Sequence, residues 1–305
     1  MNDYIQKIRD YTNEHHFQGK LLKNPKLWNQ LCSSMDVVED AELAIDNYLE
    51  SDLGNSNGEK YLRLYGVLQA LFIQQNAVMH LIEALGLRRK LEKHGKLKAI
   101  REIRNDSVGH PTKRGNYKSY HFISRPTISK GGFQLMSVYE KNKTKFRDIS
   151  VNSLIEQQRL YLRQELVNII KVLEKKKKLH KERFKMEKLA DVFSGVDYYC
   201  EKIFGNIGKE KHKLPGFGHT NVKLIQDVIR KFKAALERRS EKIDAYFYDL
   251  LDYPLSELSL YFKAIENKKN RKINNKTAHI FAYFVREHML QLKKIAQEID
   301  KDYSG

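Results

Sequence analysis

The sequence predicts a mainly α-helical protein: a helical bundle, a small β-hairpin insertion and a C-terminal helical region. Three observations carry this. Apolar residues recur at steps of three and four over most of the 305 residues, the repeat of a helix with one buried face. Only 5 prolines and 16 glycines punctuate the chain, which argues against a β-sandwich and against disorder. One stretch, 117–149, breaks the pattern with alternating apolar residues and turn signals, as short strands do.

In chain order, Tyr4, Ile5, Ile8 and Tyr11 mark a short helix over 3–16. Asn24-Pro25 starts a second by capping chemistry; it carries Leu27, Trp28, Leu31, Met35 and Val38, with breaks expected around Asp36–Asp40 and Trp28 as a core anchor. Ser51–Gly58 is a loop rich in Gly, Asn and Ser. A long helix follows over Tyr61–Leu85, its polar positions Gln69, Gln74, Gln75 and His80 read as solvent-facing or hydrogen-bonded in the core. Leu87–Val108 is a third long helix, bent at His94-Gly95. Two or three strands then form a hairpin around Lys130-Gly131-Gly132 within 117–149. Helix resumes at Val151 and passes through the basic run Glu174–Arg183, readable as a solvated face or as a phosphate-contacting ridge. Residues 205–219, with four glycines, a proline and several lysines, are the expected linker between a domain over 1–204 and a helical region over 220–305. Helices are expected there around Val222–Arg239, Ile243–Asp252, Ser256–Glu266 and Lys276–Ile299.

The chemistry concentrates where the third helix ends. Arg104-Asn105-Asp106-Ser107-Val108-Gly109-His110-Pro111 brings together an arginine, small polar side chains and a histidine. A guanidinium stays charged and matches phosphate oxygens with a planar fork. A histidine takes or gives a proton near neutral pH. Similar arginine-to-histidine spacings occur elsewhere, as from Arg9 to His15 and from Arg114 to His121. Arg104 to His110 differs by the asparagine directly after the arginine, the helix end and the Gly-His-Pro exit. A plainer reading is a helix C-terminus capped by histidine, which the helix dipole also favours.

This segment resembles the motif of HEPN domains, in which an arginine and a polar residue are followed four to six residues later by histidine. The preceding helix Tyr61–Gln75 is similar to the long second helix of such domains. The resemblance spans half to two thirds of the chain and implies a HEPN-like bundle with metal-independent ribonuclease activity and no cofactor. It also implies a homodimer that pairs two motifs across a two-fold axis. The expected setting is a toxin–antitoxin or anti-phage system, with an antitoxin or another defence protein as partner. A HEPN-like scaffold that binds RNA or a partner without catalysis is the alternative.

Under this reading, RNA supplies its 2′-hydroxyl as nucleophile, and the protein supplies a base, an acid and a cation for the phosphoryl group. His110 is the acid or base, Arg104 the phosphate clamp, and Asn105 orients the arginine or donates to substrate. Asp106 would hold the histidine tautomer or the arginine fork, and Asp106, Lys113 and Arg114 are the expected substrate-binding residues. Gln75 or Tyr65 would approach the phosphate. Six residues of straight α-helix rotate by about 600° and leave two side chains ~120° apart. The helix is therefore expected to stop near Ser107 or Val108, with Gly109 and Pro111 freeing His110 to swing back.

Charge supports a polyanionic partner. Lysine and arginine number 56 against 38 acidic residues, a formal +18, which favours nucleic acid, and less an anionic membrane surface, over a role in solubility alone. Cys32 and Cys200 are far apart in sequence with no CxxC pair, against a structural zinc site, and read as buried thiols. Asp36, Glu39, Asp40 and Glu42 form the densest acidic cluster, without ligand spacing. No stretch approaches the ~20 apolar residues of a membrane span, and the N-terminus lacks a basic region followed by an apolar run, so a cytoplasmic protein is expected.

Overall fold

The computed structural model describes residues 1–304 except 89–90, 92–93, 115–117, 140–142 and 209–215, and leaves the side chain of Lys20 aside. The chain divides into two compact units, one of residues 1–14 and 20–174, the other of 15–19 and 175–305. It is mainly helical with one three-stranded antiparallel sheet.

In the first unit, α1 (Asn2–Asn13) packs on α3 (Pro25–Glu50), and α3 runs beside α4 (Asn57–Ala84); residues 15–19 of the short α2 (His15–Leu21) belong to the second unit. Asn24 caps α3 by accepting from the Leu27 amide, with Pro25 at the first helical position. Ser56 and Glu59 cap α4 reciprocally, satisfying two backbone donors that the helix itself cannot. Leu31, Val38 and Ile45 on α3 meet Leu64, Leu68, Leu71, Val78 and Leu81 on α4 in a fully buried core. α3 does not break at Asp36–Asp40: Arg9 on α1 bridges Asp36 at 2.6 Å and Glu39 at 2.7 Å. Trp28 is half-buried rather than a core anchor, and so is Cys32, whereas Cys200 is buried.

The helix expected over Leu87–Val108 is shorter. α5 spans Gly95–Arg104, with His94 as its N-cap, and widens into a π-turn over Asn105–Gly109; residues 89–90 and 92–93 lie outside the described residues. Strands β1 (Ser119–Ile123), β2 (Gly132–Tyr139) and β3 (Lys143–Ser150) then form a meander. A tight turn closes at Ser129–Gly132, where the expected hairpin glycines lie. α6 (Val151–Phe184) follows β3 directly. Its Gln158 joins a buried chain of amides: Gln75 donates to Gln158 at 2.7 Å, Gln158 to Gln74 at 2.9 Å, and Gln74 to Glu42 at 2.8 Å. Gln74 and Gln75 are thus core hydrogen-bonding groups, the plainer of the two expected readings.

The second unit holds a 3-10 turn at Leu189–Phe193 and helices α7 (Val196–Asn206), α8 (Phe217–Arg239), α9 (Tyr246–Glu266) and α10 (Asn275–Ser304). Phe193, Phe232, Leu251, Leu258, Tyr261, Val285, Met289 and Leu292 are in its core. α9 is one helix running through Pro254, where two were expected. Arg239 is wholly buried; it pairs with Asp300 at 3.1 Å, and Asp300 also accepts the Leu189 and Ala190 amides at 2.9 Å. The compact units divide at Glu174–Lys175. The stretch 205–219, expected as a linker, falls inside the second unit, its middle outside the described residues.

Candidate anion site at the exit of α5

Arg101 and Arg104 are three apart on α5 and share a face. The face they meet on α4 carries Gln69, Phe72 and Asn76, at steps of three and four. Both guanidiniums lie against the Phe72 ring, their carbons 4.5 and 4.2 Å from its centroid, within cation–π range. Asn76 Oδ1 accepts from both terminal nitrogens of Arg101 at 2.7 and 2.6 Å. Gln69 Oε1 accepts from Nε and Nη2 of Arg104 at 3.1 and 2.6 Å, and Asn105 Oδ1 accepts from Nη1 at 3.0 Å. Arg104 is therefore held on three of its five N–H groups, and by neutral amides only. Among the described residues no carboxylate pairs with it, and burial pulls its pKa below the ordinary value.

The π-turn sets the path of the chain beyond Arg104. The His110 amide donates to Asn105 O at 2.7 Å, the i to i−5 bond that adds a residue to the turn. Straight α-helix thus ends at Arg104, earlier than expected. Gly109 lies under the arginine: a Cβ there would sit 2.6 Å from Arg104 Nη1 and 3.3 Å from Asn105 Oδ1. The guanidinium is seated against the main chain one residue before His110. The His110 side chain is exposed, with no hydrogen-bond partner among the described residues.

Asp106 and Arg114 have other tasks than the expected substrate contact. Asp106 is buried; it accepts from Arg114 Nε at 3.0 Å and from Arg147 on β3 at 2.7 Å, and lies 3.6 Å from His121 Nε2. Arg114 also pairs with Glu102. Their charges neutralise one another and pin the sheet to the turn. Nor does Asp106 orient the groups expected of it: the arginines it holds are Arg114 and Arg147, not Arg104, and the histidine is His121, not His110. His121 is buried between Ser119 Oγ at 3.0 Å and Ser137 Oγ at 2.8 Å. Burial lowers its pKa, opposed by Asp106 and reinforced by Arg147 and Arg114. Lys113 is exposed.

Arg104, Asn105 and His110 lie on and beside one turn, as their spacing in the sequence requires, whereas Gln69 is not marked out by the sequence. Gln69, Phe72 and Asn76 stand at helical spacing, which is the available signal; which helix faces that stripe is a tertiary fact. Among the described residues no group of three or more His, Cys, Asp or Glu side chains is placed to hold a metal ion, and no helix is long and apolar enough to cross a membrane. Comparison of the chain with protein-family models, with curated proteins and with solved structures gave no match.

Proposed function

We propose that this chain is a metal-independent, HEPN-type endoribonuclease acting as a homodimer in a toxin–antitoxin or anti-phage setting in the cytoplasm. The observation that supports it is Arg104: a half-buried guanidinium, fixed in place, with amides where a carboxylate would ordinarily stand. A phosphoryl oxygen supplies the missing negative charge, and more so as charge builds in the transition state. Asn105 acts as the positioning residue its contact suggests.

In the reaction, the 2′-oxygen attacks the adjacent phosphorus and its proton passes to a base. The bond from phosphorus to the 5′-oxygen breaks, and that oxygen takes a proton from an acid. The products are a 2′,3′-cyclic phosphate and a 5′-hydroxyl. His110, exposed at the turn, serves as one proton-transfer group, and the partner subunit of a two-fold dimer brings the second. RNA is the substrate, and an antitoxin or other defence protein the regulatory partner.

A second reading has its own support. Among the described residues no hydrogen bond orients the His110 imidazole, which favours a HEPN-like module that binds RNA without cutting it. Incubating mixed RNA with wild type and with His110→Ala and Arg104→Ala in EDTA separates the two. Cleavage to cyclic-phosphate ends, lost in both variants, is the expected result. Equal residual cleavage in all three marks a contaminant. Tight, salt-sensitive binding without cleavage replaces the nuclease reading with the binding module.

A further inference from the structure

The sheet has one face on the turn and one face open. On β1, Ser119 and His121 point inward and are buried, while Tyr120 and Phe122 are exposed. The register aligns Phe122, Met136 and Phe146 across the three strands, and Tyr120 with Val138 beside them. Phe146 is 61 % exposed and Phe122 51 %, in a molecule with no shortage of core to bury them. Neighbouring strands are ~4.8 Å apart, so the two phenyl rings stand roughly 10 Å apart, with Tyr120 ~7 Å along its strand from Phe122. Cations flank the face at the ends of β1, where Lys118 and Arg125 are both exposed; Lys143 and Lys145 on β3 alternate to the other face, opposite Tyr139 and Ser137. The acidic side chain on this face, among the described residues, is Asp148, engaged with Gln134 at 3.1 Å.

The face also runs on to the candidate site. The His121 amide donates outward, away from β2, to Pro111 O at 2.9 Å. The chain carrying His110 therefore lines the free edge of β1, beside Tyr120 and Phe122. We propose that the open face of the sheet is a stacking platform for the bases of single-stranded RNA, which continues around the β1 edge to Arg104 and His110. It rests on RNA being the substrate of that site. Exposed aromatic rings flanked by Lys118 and Arg125, on a chain of net charge +18, offer what a flexible single strand needs: flat surfaces for unpaired bases and charge for the backbone. A duplex, its bases already stacked inside, gains only the charge.

The test is binding of a labelled 2′-O-methyl oligouridine of about twelve nucleotides, which cannot be cut, measured by fluorescence anisotropy beside the same strand in a duplex. Wild type is expected to prefer the single strand. Phe122→Ala/Phe146→Ala should bind it roughly thirtyfold more weakly, at an unchanged melting temperature because both rings are exposed. Leu62→Ala/Leu160→Ala, which removes exposed apolar side chains elsewhere, should bind as wild type does. Equal binding by wild type and the phenylalanine variant overturns the platform, as does a wild type that binds no single strand. A phenylalanine variant that binds RNA normally but changes its sedimentation makes the face a protein interface, which also overturns it. The nuclease reading fails separately: if wild type binds the oligonucleotide through these rings yet cuts no RNA, the platform stands and the catalysis does not.

Discussion

Arg104 differs from four other arginines of its unit in what faces it. Arg9, Arg114, Arg147 and Arg159 in the same unit each pair with a carboxylate. Arg104 has Gln69 and Asn105, which fix the fork without cancelling its charge. A pair with a carboxylate would have satisfied the arginine and closed it to any anion. Gly109 belongs to the same arrangement for a reason the sequence does not display. A glycine before His-Pro reads as freedom to turn, yet its φ is not positive; what the position requires is space under the guanidinium. Gly109→Ala is therefore expected to fold, because the clashing atom is the end of a flexible side chain, at a cost of about 1 kcal/mol. It should lower RNA cleavage by ten- to a hundredfold by displacing the clamp about an ångström. Measuring kcat/KM beside the melting temperature decides it: full cleavage in a stable variant would show that the seat of Arg104 does not matter to the chemistry.

At the scale of elements, the long helices were legible because each buries a continuous stripe, and a stripe is a local property of sequence. The misreadings sit where a distant group decides. The acidic residues of α3 looked like a break until Arg9 faced them. At the exit of α5, a π-turn, Asp106 is held by Arg114 and Arg147, one past the turn and one on β3, and no local propensity announces that pairing. The same cluster makes the attachment of the sheet sensitive to acid. Burial holds His121 neutral with a pKa below its ordinary value, so the unfolded chain takes up a proton more readily than the folded one. Stability is then complete above about pH 6.5 and falls as the pH drops below it. Trp28 lies in the same unit and is the chain's one tryptophan. Urea unfolding followed by its fluorescence should show a midpoint that declines from pH 7.5 toward pH 5.5, less so in His121→Asn. An identical decline in the variant would place the acid sensitivity elsewhere.

For the whole molecule, charge and spacing bear on different questions. The charge of +18 favours a polyanionic partner, whereas the expected linker at 205–219 falls inside one compact unit, where Gly205 and Gly218 lie within helices and Gly216 caps α8. The same charge bears on the proposed dimer. Two chains of +18 repel, so added salt should strengthen their association while weakening RNA binding, and cleavage should peak between those trends. Within that optimum, the question is whether one active site draws on both chains. The motif offers a single histidine, and cleavage moves two protons. If each site needs His110 from both subunits, a chain carrying His110→Ala poisons every wild-type chain it joins. With subunits exchanged freely at nine variant chains to one wild type, only about a tenth of the wild-type chains find a wild-type partner. Activity per wild-type chain should fall to about that fraction. Activity that simply follows the amount of wild type, undiminished by the variant, would mean that each chain cuts alone, and the second proton-transfer group would then have to be sought on the same chain.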